Sequence, residues 1–346
     1  MPKSPKKLSK ASEPPEALIF ESYELKDLRA MNFLCRHKND MFTVGINFHE
    51  DMPADWATEP PTTIIMGLGM AVISHVWTGM CCPEIIVRAG YLTDEEVLFW
   101  QDTYTRGLAE HFMINQIEDL GGGHKLCVEI RVDAPPPPAP PPADAPAGAA
   151  GAGSAEASAD ASTVRCLVPL GGGKDSSTVL ELVKRAGCQA VVPFFLSDPE
   201  GEFADSWRYE ALCDLAQCER VIVADFAWPA ANWRQHQRVR KSTPAGAKWD
   251  DSARLWAALV AFAAALAARM RGCGYVAVGN ERSANLGNGV SWGGHSINHQ
   301  FDKSHTFERT MHHYLMRQGG PYLFSALQPL WDLQVVELVR CLPATR

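Results

Sequence analysis

The stretch that most limits what this chain can become runs from Val164 to Ser177, VRCLVPLGGGKDSS. Val164, Leu167, Val168 and Leu170 form an apolar, partly β-branched run, which predicts a buried strand. Gly171, Gly172 and Gly173 end it. Lys174, Asp175, Ser176 and Ser177 follow, and then TVLELVKRAG at helical spacing. Strand, glycine turn and helix in that order put bare backbone N–H groups at a helix start, where the dipole favours an anion such as phosphate. Glycine lets the backbone come close to a ligand. Lys174 adds positive charge, and Ser176 and Ser177 add hydroxyl donors. The loop is not a Walker A, because Val168 stands where that motif needs its first Gly and Asp175 follows the lysine. It does not fit GxGxxG either.

The 346 residues allow about two domains of ordinary size. With 46% hydrophobic and 21% charged residues there is enough apolar material for real cores. The net charge of -8 argues against a sequence-independent grip on nucleic acid, which depends on basic patches. Ten cysteines in a chain this long, with no CxxC pair, read as reduced thiols rather than a disulfide scaffold or a zinc site. No membrane span is expected. The apolar run Leu255 to Ala268 is shorter than the roughly 20 residues a crossing needs, and Ile64 to Met80 carries His75 and reads as a core helix.

Composition divides the chain. Residues 1–16 are a basic, proline-containing tail without the apolar region of a secretory signal. Residues 17–132 form a smaller N-terminal α+β domain, with strands at ALIFESYEL and MFTVGINFH, a helix at Ile64 to Met80, a short strand EIIV, and a helix opened by TDEE, which resembles a capping box. Trp100, Tyr104, Leu108 and Phe112 fall four apart and form one packing stripe. Residues 133–163 are almost wholly Ala, Pro, Gly, Ser and Asp and read as a linker. Residues 164–346 alternate strand and helix signals: AVVPFFL, the helical stretch Phe203 to Gln217, Val221 to Asp225, Asp250 to Met270 and Tyr275 to Val278. That alternation predicts an α/β fold, a doubly wound parallel sheet. Ligands then belong at the carboxyl ends of the strands, after Leu170, Leu196, Asp225 and Val278.

The last of these places is rich in polar groups. GNERSANLGN brings Asn280, Glu281, Ser283, Asn285 and Asn288, suited to ribose, phosphate or a metal. SWGGHSINHQFDKSHTFERTMHH then packs five of the eleven histidines with Lys303, Ser304 and Glu308. His299 and Lys303 are four apart and would share a face in a helix. His312 and His313 read as members of a solvated helix.

GGGKDS resembles the pyrophosphate-binding loop of the ATP pyrophosphatases, SGGxDS, with Gly171 in place of the leading Ser. Enzymes with that loop split ATP to AMP and pyrophosphate. Taken in order, GGGKDS, GNERSAN, INHQFDKSHTFE and FSALQPL resemble the blocks of the MurL family, ATP-dependent epimerases of UDP-N-acetyl-α-D-muramoyl-L-alanyl-L-glutamate, and YLTDEEVLFWQDTYTRGLAEHF resembles its N-terminal half. The resemblance implies ATP and Mg²⁺, a UDP-sugar dipeptide substrate, and inversion of its terminal L-glutamate through an acyl-adenylate in peptidoglycan precursor synthesis. It implies a cytoplasmic enzyme, or one of the plastid stroma if the basic N-terminus is a transit peptide. Under it, Gly171, Gly172, Gly173, Lys174, Asp175, Ser176 and Ser177 hold the nucleotide with Asn280, Ser283 and Asn285; Asp175 holds Mg²⁺; and His299, Lys303 and Glu281 are the catalytic residues. Another adenylating enzyme of the same loop class, an amide-forming ligase or an RNA-modifying enzyme, and a non-catalytic nucleotide binder remain alternatives. Two places depart from the pattern. WRQHQRVRKSTPAGAKWDD replaces an expected N-G-H-x-P-like segment, where Arg234, Arg238, Arg240 and Lys241 could supply other contacts, and the chain stops soon after FSALQPL, where a further Cys- and Trp-containing segment is expected.

Overall fold

The computed structural model describes residues 17–120, 126–136, 164–198, 211, 213–214, 217–229, 250, 252–317 and 319–341. The tail, most of the linker, nearly all of Phe203 to Gln217 and the arginine-rich stretch with Arg234 and Arg238 lie outside the described residues.

Twelve strands and seven α-helices are described: β1 (Ala17–Lys26), β2 (Ala30–His37), β3 (Asp40–Phe48), α1 (Thr62–Met80), β4 (Glu84–Val87), α2 (Asp94–Gly107), α3 (Ala109–Ile114), β5 (Glu129–Val132), β6 (Arg165–Pro169), α4 (Lys174–Arg185), β7 (Ala190–Ser197), β8 (Ile222–Ala227), α5 (Trp256–Met270), β9 (Tyr275–Val278), β10 (Ser291–Trp292), β11 (His295–Ser296), α6 (His305–Arg317), β12 (Tyr322–Ser325) and α7 (Asp332–Cys341). Ten of the strands form one sheet in the order β12-β9-β6-β7-β8-β3-β2-β1-β4-β5. β12, β9, β6, β7 and β8 run parallel, β3, β2 and β1 continue antiparallel, and β4 and β5 add in parallel to β1. The architecture is α/β, and its parallel part is the doubly wound sheet that the alternation predicts. The sheet is mixed as a whole, because the hairpins β1–β2 and β2–β3 precede the crossover units.

The seam between the two halves of the sequence is β3 against β8, with Ile46 opposite Phe226 and Phe48 opposite Ala224. Side chains alternate across each strand. Leu167, Val192, Phe194, Ile222 and Phe226 face α1, α2, α5 and α6 in the larger core, which holds residues from both halves of the sequence. Cys166, Val168, Val191 and Val223 face α4 and α7 in a second core. α1 is apolar on every side because it is buried nearly throughout, the expected result for a helix sandwiched in a core. By length and composition it is also long enough to cross a membrane. The stripe on α2 and α3 is core: Trp100, Tyr104, Leu108 and Phe112 are all fully buried. Thr93 and Glu96 close a true capping box at the start of α2. All ten cysteines are thiols outside any disulfide, six of them buried.

β2, β5, β10, β11 and β12 have no counterpart among the strands expected from sequence. AMNFLCRH has the alternation of a strand, with Met31, Phe33 and Cys35 inward, but its polar neighbours made it read as connection.

Candidate active site

Between β6 and β9 the chain reverses its order of travel. From β6 it moves one way through β7 and β8, then crosses back to β9 on the other side. Such a switch point leaves a crevice at the carboxyl ends of the strands. A cleft of about 720 Å³ opens there. It is lined by residues that follow Leu170, Leu196 and Val278, three of the four strand ends expected to carry chemistry, and by α5, α6 and the turn at 300–303.

The glycine loop supplies one wall. Gly172 has φ +75°, a conformation that other residues reach only under strain. Added Cβ atoms at Gly171 and Gly173 would meet nothing within 4 Å, so the loop borders open space. No side chain caps the first amides of α4. The hydroxyls of Ser176 and Ser177 both donate to the Gly173 carbonyl, and the Gly171 N–H reaches Ser176 Oγ at 3.3 Å. Gly279 lies against this turn: a Cβ there would sit 3.0 Å from the Ser176 nitrogen.

Lys174 does not hang free. Its Nζ lies 2.6 Å from Asp175 Oδ1, 2.6 Å from Asp332 Oδ1 at the start of α7, and 3.8 Å from Glu281 Oε2. Burial works against the ammonium, but the bonds to Asp175 and Asp332 and the charges around it outweigh that and hold its pKa above the usual lysine range. On the other side of the lysine, Glu281 Oε1 accepts from Ser283 at 2.6 Å, while its buried Oε2 has no hydrogen-bond partner. A buried acceptor without a donor is costly and suits a ligand that brings one.

The loop after β11 supplies the opposite wall. Phe301–Lys303 is one short 3-10 turn, and α6 starts at His305. Here the expectation of a helix carrying His299 and Lys303 on one face is corrected: His299 precedes the turn, in an exposed stretch where its Nδ1 lies 2.7 Å from Asn288 Oδ1, and it does not line the cleft. Lys303 does line it. Asp302 beside it is buried, and its Oδ2 accepts the N–H of Ala257 at 2.9 Å and of Ala258 at 3.1 Å, at the start of α5. α5 has no side-chain cap from its own sequence, so Asp302 caps it from a distance. Burial pushes the Asp302 pKa up, and the two amides pull against that.

Of the residues expected from sequence, Gly171, Gly173, Asp175, Ser176, Asn280, Glu281 and Lys303 line the cleft. Gly172, Lys174, Ser177 and Ser283 are neighbours of these residues in sequence but are not among those that line the cleft. Asn285 serves the scaffold: its amide donates to Gln328, and its oxygen accepts from the His305 N–H. Gln328 in turn donates to the Lys303 carbonyl and to Glu308, so the loops after β9, β11 and β12 are tied together. Sequence reasoning missed Asp198, Arg254, Gln300 and Asp302 as cleft residues, and Glu308 as the acceptor for the Ser325 N–H and hydroxyl. Asp198 could have been found from its place just past the end of β7. The others needed the fold.

A family model, the MurL N-terminal domain, matches residues 15–203 and 256–324. The chain belongs to that family. A MurL relative, the UDP-N-acetyl-alpha-D-muramoyl-L-alanyl-L-glutamate epimerase of a Micromonospora species, is 29% identical over 302 residues, which cover 84% of this chain and 58% of the relative. The chain therefore spans a little over half of that MurL protein's length. The matched segments include β6, the glycine loop, β9, the turn with Lys303, and α6.

Proposed function

We propose that this protein epimerises the terminal L-glutamate of UDP-N-acetylmuramoyl-L-alanyl-L-glutamate to D-glutamate, activating the α-carboxylate by adenylation with ATP. It would then be an isomerase of peptidoglycan precursor synthesis, acting in the cytoplasm or a plastid stroma. The observation that carries the reading is that the glycine loop and Lys303 line one cleft.

The chemistry explains why both are needed. The α C–H of a carboxylate is a poor acid, because the carbanion would add a second negative charge. A mixed anhydride with AMP removes the first charge and withdraws electrons, so the proton can leave. Phosphate would sit on the amides that start α4, with Lys174 moving from its carboxylate partners to the anion. The donor set fits Mg²⁺, which is bound through one or two carboxylates plus phosphate oxygens: Asp175 would hold it, and it would offset phosphate charge. Glu281, whose buried Oε2 has no hydrogen-bond partner, is suited to a ribose hydroxyl. The apolar strip of Leu196, Trp256, Ala257 and Val260 offers a face for a base. Lys303, which lines the cleft, is the candidate proton carrier at the α carbon. Hydrolysis of the anhydride after reprotonation on the other face returns the free acid.

The decisive assay supplies Mg-ATP and the L-glutamate UDP-dipeptide and measures AMP and D-glutamate together. Equal amounts of both are expected. AMP that requires another acceptor would point to a different adenylating enzyme, and nucleotide binding without AMP would leave a binding protein.

A further inference from the structure

The far end of the cleft carries a feature that adenylation does not use. Arg254 lines the cleft on the segment that enters α5, and its guanidinium lies 4.3 Å from the centre of the Trp228 ring. Trp228 is itself fixed. Its Nε1 donates to Asp198 Oδ1 at 2.9 Å, and Phe226 meets it edge-on at 4.8 Å between ring centres. His75 packs edge-on against Trp228 and Trp256. Burial, and then the charge of Arg254, push the His75 pKa down to about 3, so this ring is neutral and adds no second positive charge. Among the described residues that line the cleft, Arg254 and Lys303 are the two cations. An arginine does not give up its proton, so it is unfit to be the base; its planar fork matches a carboxylate. The indole ring lies against one side of the guanidinium and helps hold it in place.

Position adds a reason. Trp228 follows β8, and the glycine loop follows β6, two strands away. Strand spacing makes that about 10 Å. A glutamate whose α-carboxylate faces the nucleotide would extend its side chain along that gap. The γ-carboxylate keeps its charge throughout, and burying it bare would be costly. We propose that Arg254, seated on Trp228, is the receptor for the free γ-carboxylate of the substrate glutamate, which selects glutamate over its amide and presents the α-carboxylate for activation. This subsite rests on the adenylation reading above.

The test is equilibrium binding, by calorimetry with Mg²⁺ and a non-hydrolysable ATP analogue, of the L-glutamate UDP-dipeptide and of the same ligand ending in L-glutamine. The wild-type chain should prefer the glutamate ligand by about tenfold or more, the scale of a charge-assisted hydrogen bond. Arg254→Met should erase the preference, and Arg254→Lys should keep part of it. If Arg254→Met fails to give a cooperative melt, Arg254→Lys and Trp228→Phe carry the same comparison. A wild-type chain that does not distinguish the ligands, or a preference left undiminished by these changes, overturns the proposal. D-Glutamate formation reports separately on the reaction: a working epimerase whose preference ignores Arg254 sinks only the subsite, and an Arg254-dependent preference without D-glutamate sinks only the reaction.

Discussion

Asp302 and Ala257 meet at 2.9 Å, the carboxylate of one accepting the backbone N–H of the other across 45 positions of sequence. The bond joins the Lys303 turn to the first turn of α5. Asp302→Ala leaves two N–H groups there without their acceptor and should cost about 1–2 kcal/mol of stability, read by urea denaturation. Asp302→Asn should cost less. Both should lower turnover by more than they weaken ATP binding, because the displaced residue is Lys303.

The tight fit of Gly279 against the glycine loop gives a sharper lesion. Gly279→Ala places a Cβ 3.0 Å from the Ser176 nitrogen and 3.1 Å from the Asp175 carbonyl carbon, both backbone atoms that cannot swing away. The loop must shift. Nucleotide affinity should fall by about tenfold or more, the cost of disturbing one or two charge-assisted contacts, while the melting temperature changes little. Titration with a fluorescent ATP analogue checks this.

Lys174 is shared between Asp175 and Asp332, with which a bound phosphate would compete on the proposed reading. Lys174→Met should weaken ATP binding strongly. Asp332→Asn should strengthen it modestly, and more at low salt than at high salt, because it removes one competitor for the ammonium. Isothermal titrations at two ionic strengths separate these outcomes; weaker binding in Asp332→Asn would mean that the carboxylate supports the lysine in the bound state.

His75 sets an acid limit on stability. It titrates near the ordinary 6.5 when unfolded but near 3 in the buried site. Its contribution is therefore complete above pH 6.5 and declines as pH falls toward 3, by at most about 1.4 kcal/mol per pH unit. A His75→Phe variant should show a flatter loss of stability between pH 6.5 and 5 than the parent chain, measured by denaturant midpoints. Equal slopes would show that His75 does not govern the window.

Lys303 and His299 separate cleanly by position. Lys303→Met should abolish D-glutamate formation while sparing ATP binding, whereas His299→Ala, altering a side chain held by Asn288 outside the cleft, should retain most turnover. Exchange of the α proton with deuterium in solvent is the direct readout.

What could be read in advance was local. The strand–glycine–helix unit at 165–185, the capping box at Thr93, the EIIV strand and the α2–α3 stripe are each specified by neighbours within a turn or two, and periodicity exposes them. The ordered polar blocks after Val278 also pointed to the cleft, because strand ends in a parallel sheet share an edge. Asp302 capping α5, Asp332 holding Lys174, and Arg254 on Trp228 depend on segments 26 to 158 positions apart. No window of sequence contains both partners. His299 and Lys303 are four apart, but that spacing puts two side chains on one face only in a helix, and this turn is too short to be one.

Because β3 is laddered to β8, the halves before and after the proline-rich segment cannot swing apart like jaws. For the same reason, chains severed inside residues 137–163 would each present an unzipped edge to the other, and separately produced pieces should reassemble into one body when mixed.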